Sequence, residues 1–421
     1  MKILMMTNTY TPFVGGVSRS VRTFAAECRK MGHRVLVVAP VFEGMPESEK
    51  DVIRVPAVQH FNGSDFSVVL PIPGFLSSKL ETFKPDIVHS HYPFMLGSTA
   101  VRAASRFNCP LVFTYHTMYE HYVHYVPAEA ERMREFVINL ATGYCNLCDR
   151  VLAPSQSVAQ MLRKRGVKTA VDILPTGVYV REFEHGDGAG FRRKYGIPQD
   201  ALVAGYVGRL APEKNLSFLG QSVAAFAAQE KRGHFLVVGS GPSEKEIRAI
   251  FAEKRIDGRL HLTGALHDKA LIDAYHAMDI FLFASKTETQ GLVLMEAMAA
   301  NVPVVALDAP AVREVVNDGV NGYLVQIEQS REFADAINRV AGLPPAELKN
   351  LRDAARKTAE SFSMQSCAEK LVSAYQEVLR HKRTGPRDEM LWSQAAEQVK
   401  AEWEIVANLA EAARTTLRRS D

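Results

Sequence analysis

At 421 residues the chain is close to three times the ~150 residues usual for one domain, which points to two large domains. Apolar residues make up 47% and charged residues 23%, which excludes a disordered, collagen-like or disulfide-scaffold protein. The net charge of +3 is too balanced for a nucleic-acid binder, although residues 1–180 carry 19 Lys+Arg against 14 Asp+Glu. Apolar runs such as Leu36 to Pro40 and Ile280 to Ala284 fall far short of the ~18 residues that a membrane span needs. The start Met1-Lys2-Ile3-Leu4 is strand-like and has no basic leader or cleavage site, so an export signal is not expected. Five cysteines, an odd number, read as reduced thiols. The expected location is therefore cytoplasmic.

The elements follow one grammar. Residues 2–6 form an apolar strand, and a loop of sequence TYTPFVGGV leads into a helix pattern at Val21, Phe24, Ala25, Cys28 and Met31. Gly32 suits a left-handed helix terminus, and the strand RVLVVAP follows. Further strands read DIVHSH, LVFTYH and RVLAPS, with a helix over 95–106 and a short helix ending at Gly166. The second half repeats the alternation with VAGYVG, FLVVGSG, LHLTG, DIFLFAS and VPVVAL. Short apolar strands separated by helices predict parallel sheets covered on both faces, an α/β class with two Rossmann-like doubly wound domains. Segment 177–198, rich in Gly and charge, is the candidate linker. Ligands of such domains bind at the carboxyl ends of strands, so a cleft between the two is the expected site.

Three stretches could carry chemistry. Gly15-Gly16 lies between the first strand and first helix, where a bare backbone can approach an anionic ligand or simply form a turn. The full G-x-G-x-x-G fingerprint is absent, so a dinucleotide site is not supported. In Gly208-Arg209-Leu210-Ala211-Pro212-Glu213-Lys214, two cations leave a strand end, a pairing that suits a diphosphate or a solvated ion pair. Glu288 and Glu296 lie eight apart, one in the loop before a helix that opens at Gly291 and one inside it. Carboxylates accept hydrogen bonds from vicinal diols, and the amides of Leu292 and Val293 could meet a phosphate.

With GGV, GRLAPEKN, VVGSGP (Gly239, Gly241), E-x7-E and GLVLMEAMAANVPVVA in this order over roughly residues 1–380, the chain resembles the retaining glycosyltransferases of family 4, of GT-B fold. The resemblance implies an acceptor-binding domain at 1–180, a nucleotide-sugar domain at 196–365 and a crossover helix at 366–380 that packs back on the first domain. It implies that Arg209 and Lys214 bind the donor diphosphate, that Glu288 contacts the transferred sugar and that Glu296 contacts the ribose. Gly15, Gly16, Gly208, Gly239, Gly241, Gly291, Leu292 and Val293 complete the implied donor site. His116 matches a family histidine near the donor sugar; read alone, it is a histidine at a strand end.

The run 116–127, HTMYEHYVHYVP, is similar to the diacylglycerol glucosyltransferases of that family. It implies UDP-glucose as donor, a lipid or sugar acceptor, and acceptor-side roles for Tyr119, His121, Tyr122, His124 and Tyr125, residues with an apolar body and a polar tip. Packing against the linker is the other reading of this cluster. In the helix before Gly166, Val158, Met161 and Leu162 beside Arg163, Lys164 and Arg165 form a basic amphipathic stripe, which motivates contact with anionic membrane at its inner face. Cys145-x-x-Cys148 has no second pair or nearby histidines, so neither metal nor cofactor is expected there. No Asp-x-Asp occurs in the chain, so cationic side chains would have to replace a metal on the diphosphate.

The tail 387–421 places Trp392, Ala396, Val399, Trp403, Val406, Ala410, Ala413 and Leu417 at alternating spacings of four and three, a heptad seam suited to packing on the body or on a second copy. The expected activity is metal-independent, retaining transfer of a hexose from a nucleotide sugar to a hydroxyl. Transfer to a soluble or polysaccharide acceptor, a nucleotide-sugar epimerase and a non-catalytic sugar binder are the rivals.

Overall fold

The computed structural model describes residues 1–13, 15–58, 68–69, 76–121 and 130–380. The described residues form two compact units, one within 1–176 together with 367–380, the other Gly177–Ser366.

Unit one begins β1 (Lys2–Met6), α1 (Gly16–Lys30), β2 (Arg34–Pro40) and β3 (Val52–Val55). A small antiparallel pair follows, β4 (Ala57–Val58) with β5 (Val68–Val69), and then α2 (Ser77–Phe83). The unit continues with β6 (Ile87–Ser90), α3 (Leu96–Arg106), β7 (Leu111–Thr114) and α4 (Ala130–Leu147). It goes on to β8 (Arg150–Ala153), α5 (Gln156–Lys164) and β9 (Val171–Ile173). The described residues form a parallel sheet of order β3-β2-β1-β6-β7-β8-β9.

Unit two runs α6 (Gly188–Lys194), β10 (Leu202–Val207), α7 (Leu216–Gln229), β11 (Gly233–Val238) and α8 (Glu244–Glu253). Then come β12 (Leu260–Leu262), α9 (Asp268–His276), β13 (Ile280–Phe283), α10 (Leu292–Ala299) and β14 (Val304–Leu307). The unit closes with β15 (Gly322–Val325), α11 (Ser330–Ala341) and α12 (Pro345–Ser361), and α13 (Met364–Arg380) begins at its end. Its sheet, also parallel, has the order β12-β11-β10-β13-β14-β15. The period of two sorts the strands onto two buried faces. Val203, Val207, Phe281 and Phe283 pack into one core, while Ala204, Tyr206, Ile280 and Leu282 pack into the other. This explains why the strands read as unbroken apolar runs. In each sheet the order reverses once, between β1 and β6 and between β10 and β13, and these reversals locate the functional ends.

Two expectations need correction. Segment 177–198 is not a loose linker. It holds a 3-10 turn at Val180–Phe183 and α6, with Phe183 and Phe191 buried. A Cβ on Gly188 would lie 2.1 Å from the carbonyl oxygen of His276, so the glycine there serves close packing. The apolar stripe of α5 does not face outward either. Val158 and Leu162 are fully buried in unit one's core, each worth ~1.5–3 kcal/mol there, and that surface cannot also serve a lipid. Arg165 turns inward to an ion pair with buried Glu120 and donates to the Tyr115 hydroxyl at 3.3 Å. Among the described residues no helix is long and apolar enough to cross a membrane. The tail 387–421 lies outside the described residues.

Candidate active site

In unit two the loops leaving β10 and β13 carry the charged residues. Past β10 the backbone stays paired with the chain past β11: Gly208 donates to Val238 O at 3.0 Å and Leu210 to Ser240 O at 2.9 Å. Gly239 adopts φ 144°, where only glycine is at ease, and a Cβ on it would sit 1.9 Å from Gly208 O. Gly239 and Gly241, which face Gly208 O and Leu210 O, thus let two loops lie against one another and build a rigid platform. The Tyr206 hydroxyl donates to Arg209 O at 3.1 Å beneath it.

On that platform Arg209 is exposed, and its guanidinium donates to Glu213 at 2.7 Å. Lys214 forms an ion pair with Glu288, which comes from the loop after β13. Burial pushes the Glu288 carboxyl up, but Lys214, a hydrogen bond from Ser285 and the nearby Arg209 outweigh it and hold the group below its usual range. Glu288 is therefore ionised at neutral pH. Asn215 ties the assembly together: its amide donates to Glu328 Oε1 at 2.6 Å, and Glu328 also pairs with Lys286. Loops after β10, β13 and β15 are so held at one end of the sheet. Gly291, at φ 75°, opens α10, whose first-turn amides at Leu292 and Val293 lack partners within the helix. Glu296 is buried inside α10 and accepts a 2.8 Å hydrogen bond from the Tyr275 hydroxyl, so a ribose contact would have to share it.

The sequence reading missed Glu213. It lies four residues after Arg209, the spacing at which charges meet on a helical turn, and its buried Oε2 has no hydrogen-bond partner among the described residues. A guanidinium held by a buried carboxylate is pre-set in orientation.

In unit one, Gly15 caps α1 and Gly16 is its first residue, at the end of the loop leaving β1. Asn8 bridges that loop to the one after β6, donating to Phe94 O and accepting from the Leu96 amide. His116 follows β7, and its Nε2 lies 2.9 Å from Nδ1 of His91, which follows β6. Burial lowers the His116 pKa to about 3, so the ring is neutral and acts as a hydrogen-bonding group rather than a proton store. His89 is likewise lowered to about 3 by burial and by His116. Its Nδ1 is 2.6 Å from the Tyr375 hydroxyl on α13, and its Nε2 is 2.7 Å from Thr114 Oγ1. His89 and His91 also escaped the sequence reading, although H-x-H at a strand end places both rings on one face.

These rings make a pH prediction. A histidine with a lowered folded pKa binds fewer protons folded than unfolded between pH 3 and 6.5, so stability rises with pH across that window. Falling below pH 6.5, each of His89 and His116 should remove about 1.4 kcal/mol per pH unit. Urea titrations from pH 7 to 5 test this, with His89→Gln expected to flatten the slope; a midpoint that does not move with pH would refute it.

Of the five acceptor-side residues, Tyr119 alone has a described side chain. Tyr119 is a core residue, edge-on to Phe94 at 5.2 Å and to Tyr115 at 5.5 Å, rather than one presented to an acceptor. His121 ends the 3-10 turn Tyr119–His121, and Tyr122, His124 and Tyr125 lie outside the described residues. Cys145 and Cys148 are buried at the end of α4, where burial pushes the Cys145 thiol up to about 12 and that of Cys148 well above its usual value. Protonated, buried thiols of this kind are poor nucleophiles.

Residues 14–182 match the family model Glycosyltransferase Family 4, and residues 189–359 match Glycosyl transferases group 1. The alpha-monoglucosyldiacylglycerol synthase of Streptococcus pneumoniae is 29% identical over 77% of this chain and 75% of its own length. A D-inositol 3-phosphate glycosyltransferase of Kribbella flavida is 30% identical over 69% of this chain and 70% of its own. The crystal structure of Anabaena HepE, solved with UDP and glucose, superposes with a TM-score of 0.72 at 20% identity, covering 89% of this chain and 99% of that one. Two parallel sheets, each reversing its strand order once, with the two models matched in sequence along them, make this chain a glycosyltransferase of family 4 with the GT-B fold, similar to the diacylglycerol glucosyltransferase subgroup.

Proposed function

We propose that the enzyme transfers a hexose, glucose from UDP-glucose in the first instance, to the hydroxyl of a diacylglycerol-type lipid with retention at the anomeric carbon. The observation that carries the donor side is the charged group at the reversal point of unit two: Arg209 set by Glu213, and Lys214 paired with an ionised Glu288. The bond from the anomeric carbon to the diphosphate breaks, a bond to the acceptor oxygen forms, and the acceptor proton passes to the departing diphosphate. Arg209 and Lys214 balance the charge that grows there, the place where fixed cations lower a barrier most. Glu288 accepts hydrogen bonds from sugar hydroxyls, and neutral His116 contributes another contact to the sugar. With two side-chain cations in this role the reaction is read as metal-independent.

The lipid acceptor draws support from the likeness to the pneumococcal synthase. A second reading, transfer to a water-soluble polyol phosphate, draws support from the Kribbella flavida relative and from the inward-facing stripe of α5. Purified enzyme is to be offered UDP-glucose or GDP-mannose, with diacylglycerol in vesicles or an inositol phosphate in solution, and released nucleotide followed. Glucosylated diacylglycerol of α configuration is expected, unchanged by exhaustive EDTA treatment. Transfer to the soluble acceptor alone would replace the lipid reading, and loss of turnover on chelation with recovery in magnesium would end the metal-independent one.

A further inference from the structure

We infer that His91 is a positioning residue that holds His116 in a single tautomer, with its proton on Nδ1. This deepens the proposed function and rests on the reading of His116 as a contact to the transferred sugar. His91 is 1% exposed and stands at the carboxyl end of β6, at the reversal point of unit one's sheet. Its amide donates to Met6 O at 2.9 Å, which fixes the backbone from which the ring projects. The ring lies between two others. His89 is 4.1 Å away between centroids, and His116 is 5.2 Å away and nearly parallel, at 22°. His89 is itself clamped by Tyr375 on one nitrogen and by Thr114 on the other, so the stack is fixed from its far end.

The proton count then decides the tautomer. Each neutral imidazole carries one N–H and one bare nitrogen. Between His91 Nδ1 and His116 Nε2, 2.9 Å apart, one nitrogen must donate and the other accept. If His116 donated, the proton of His91 would sit on its Nε2, which is buried and has no hydrogen-bond partner among the described residues. A buried N–H left unpaired is costly and is rarer in folded proteins than an under-used acceptor. With the proton on His91 Nδ1 the orphaned atom is only a lone pair. His116 Nε2 then accepts, and its own proton is placed on Nδ1. His116 is thereby committed as a donor at Nδ1, suited to an accepting oxygen, and cannot turn its ring without losing the bond to His91. The second nitrogen of such a histidine sets what the first can do.

The tautomer can be read without turnover. In the full chain labelled with 15N in its histidine rings, the signals of His116 are assigned by their loss in His116→Ala. The expected wild-type pattern is protonated Nδ1 and bare Nε2; a proton on Nε2 overturns the inference with no variant needed. His91→Leu should leave His116 as a tautomer mixture. It should also lower kcat about 10- to 100-fold, with KM within about threefold, because a group displaced by ~1 Å loses that much. His91→Asn offers an amide N–H near the position of Nδ1 and should restore kcat to within about fivefold of wild type, a recovery that a purely structural role would not produce. Melting curves confirm that both variants are folded. An unchanged spectrum and kcat in His91→Leu would overturn the assignment. Undiminished turnover in His116→Ala would remove His116 from the reaction, while the nitrogen spectrum alone would still decide what His91 does to it.

Discussion

Replacing Lys214 with alanine is expected to lower kcat/KM about 30- to 1000-fold, the ~2–4 kcal/mol of a charge-assisted contact that matters most in the transition state. The same change strips the partner from Glu288, and the two consequences must be separated. With Lys214 present, Glu288 titrates below its ordinary value, so its stabilising contribution is full above the ordinary value and is lost as pH falls from there through the lowered one. Without Lys214, burial dominates and the carboxyl titrates higher, which destabilises the fold near neutrality. Adding Glu288→Gln removes that charge. The double variant should recover melting temperature without recovering turnover. Steady-state rates of Lys214→Ala within threefold of wild type would take the lysine out of the donor site.

Among the described glycines, Gly239→Ala should be the most damaging single methyl. The new Cβ would fall 1.9 Å from Gly208 O in a backbone conformation of φ 144°, which side chains rarely adopt. Strain of ~1–3 kcal/mol from the dihedral alone, with a backbone clash that no rotamer can relieve, should bring the loss to roughly 3 kcal/mol or more. Against a total of about 5–15 kcal/mol this is a large share. Urea unfolding measures it, and a midpoint indistinguishable from wild type would mean that the two loops do not depend on their close approach. Because the platform carries Arg209, weaker donor binding should accompany the loss.

The alternation of strands and helices was legible because the central strands are covered on both faces and so have no polar side to interrupt their runs. Residues 2–6 and 280–284 illustrate this. Strand order was not, because pairing of β1 with β6 or β10 with β13 is decided by crossovers that leave no mark on local composition. The facing of α5 was misread for a related reason: a 3.6-residue stripe shows that one side is apolar but not whether protein or lipid covers it. Segment 177–198 was read as a linker from its Gly and charge, yet Gly188 there serves close packing against His276. At the site, Arg209, Lys214 and Glu288 could be named from motifs. Glu213 and His91 could not, because their importance comes from buried atoms whose partners, or lack of them, exist only after folding.

Unit one is split along the chain, and this sets the order of events during synthesis. His89 and Tyr375, which bond at 2.6 Å, are 286 residues apart, with the whole of Gly177–Ser366 emerging between them. At roughly 5–20 residues per second, the first sheet waits on the order of 10–40 s for the segment that completes it. Ribosome-bound chains stopped near residue 366 should therefore be cut by protease in unit one sooner than in unit two, and equal resistance would count against this order. Residues such as Leu371 and Tyr375, fully buried at the end, have no counterpart during that interval, and the apolar surface awaiting them stays open to chaperones. The first domain to leave the ribosome is the last to be finished.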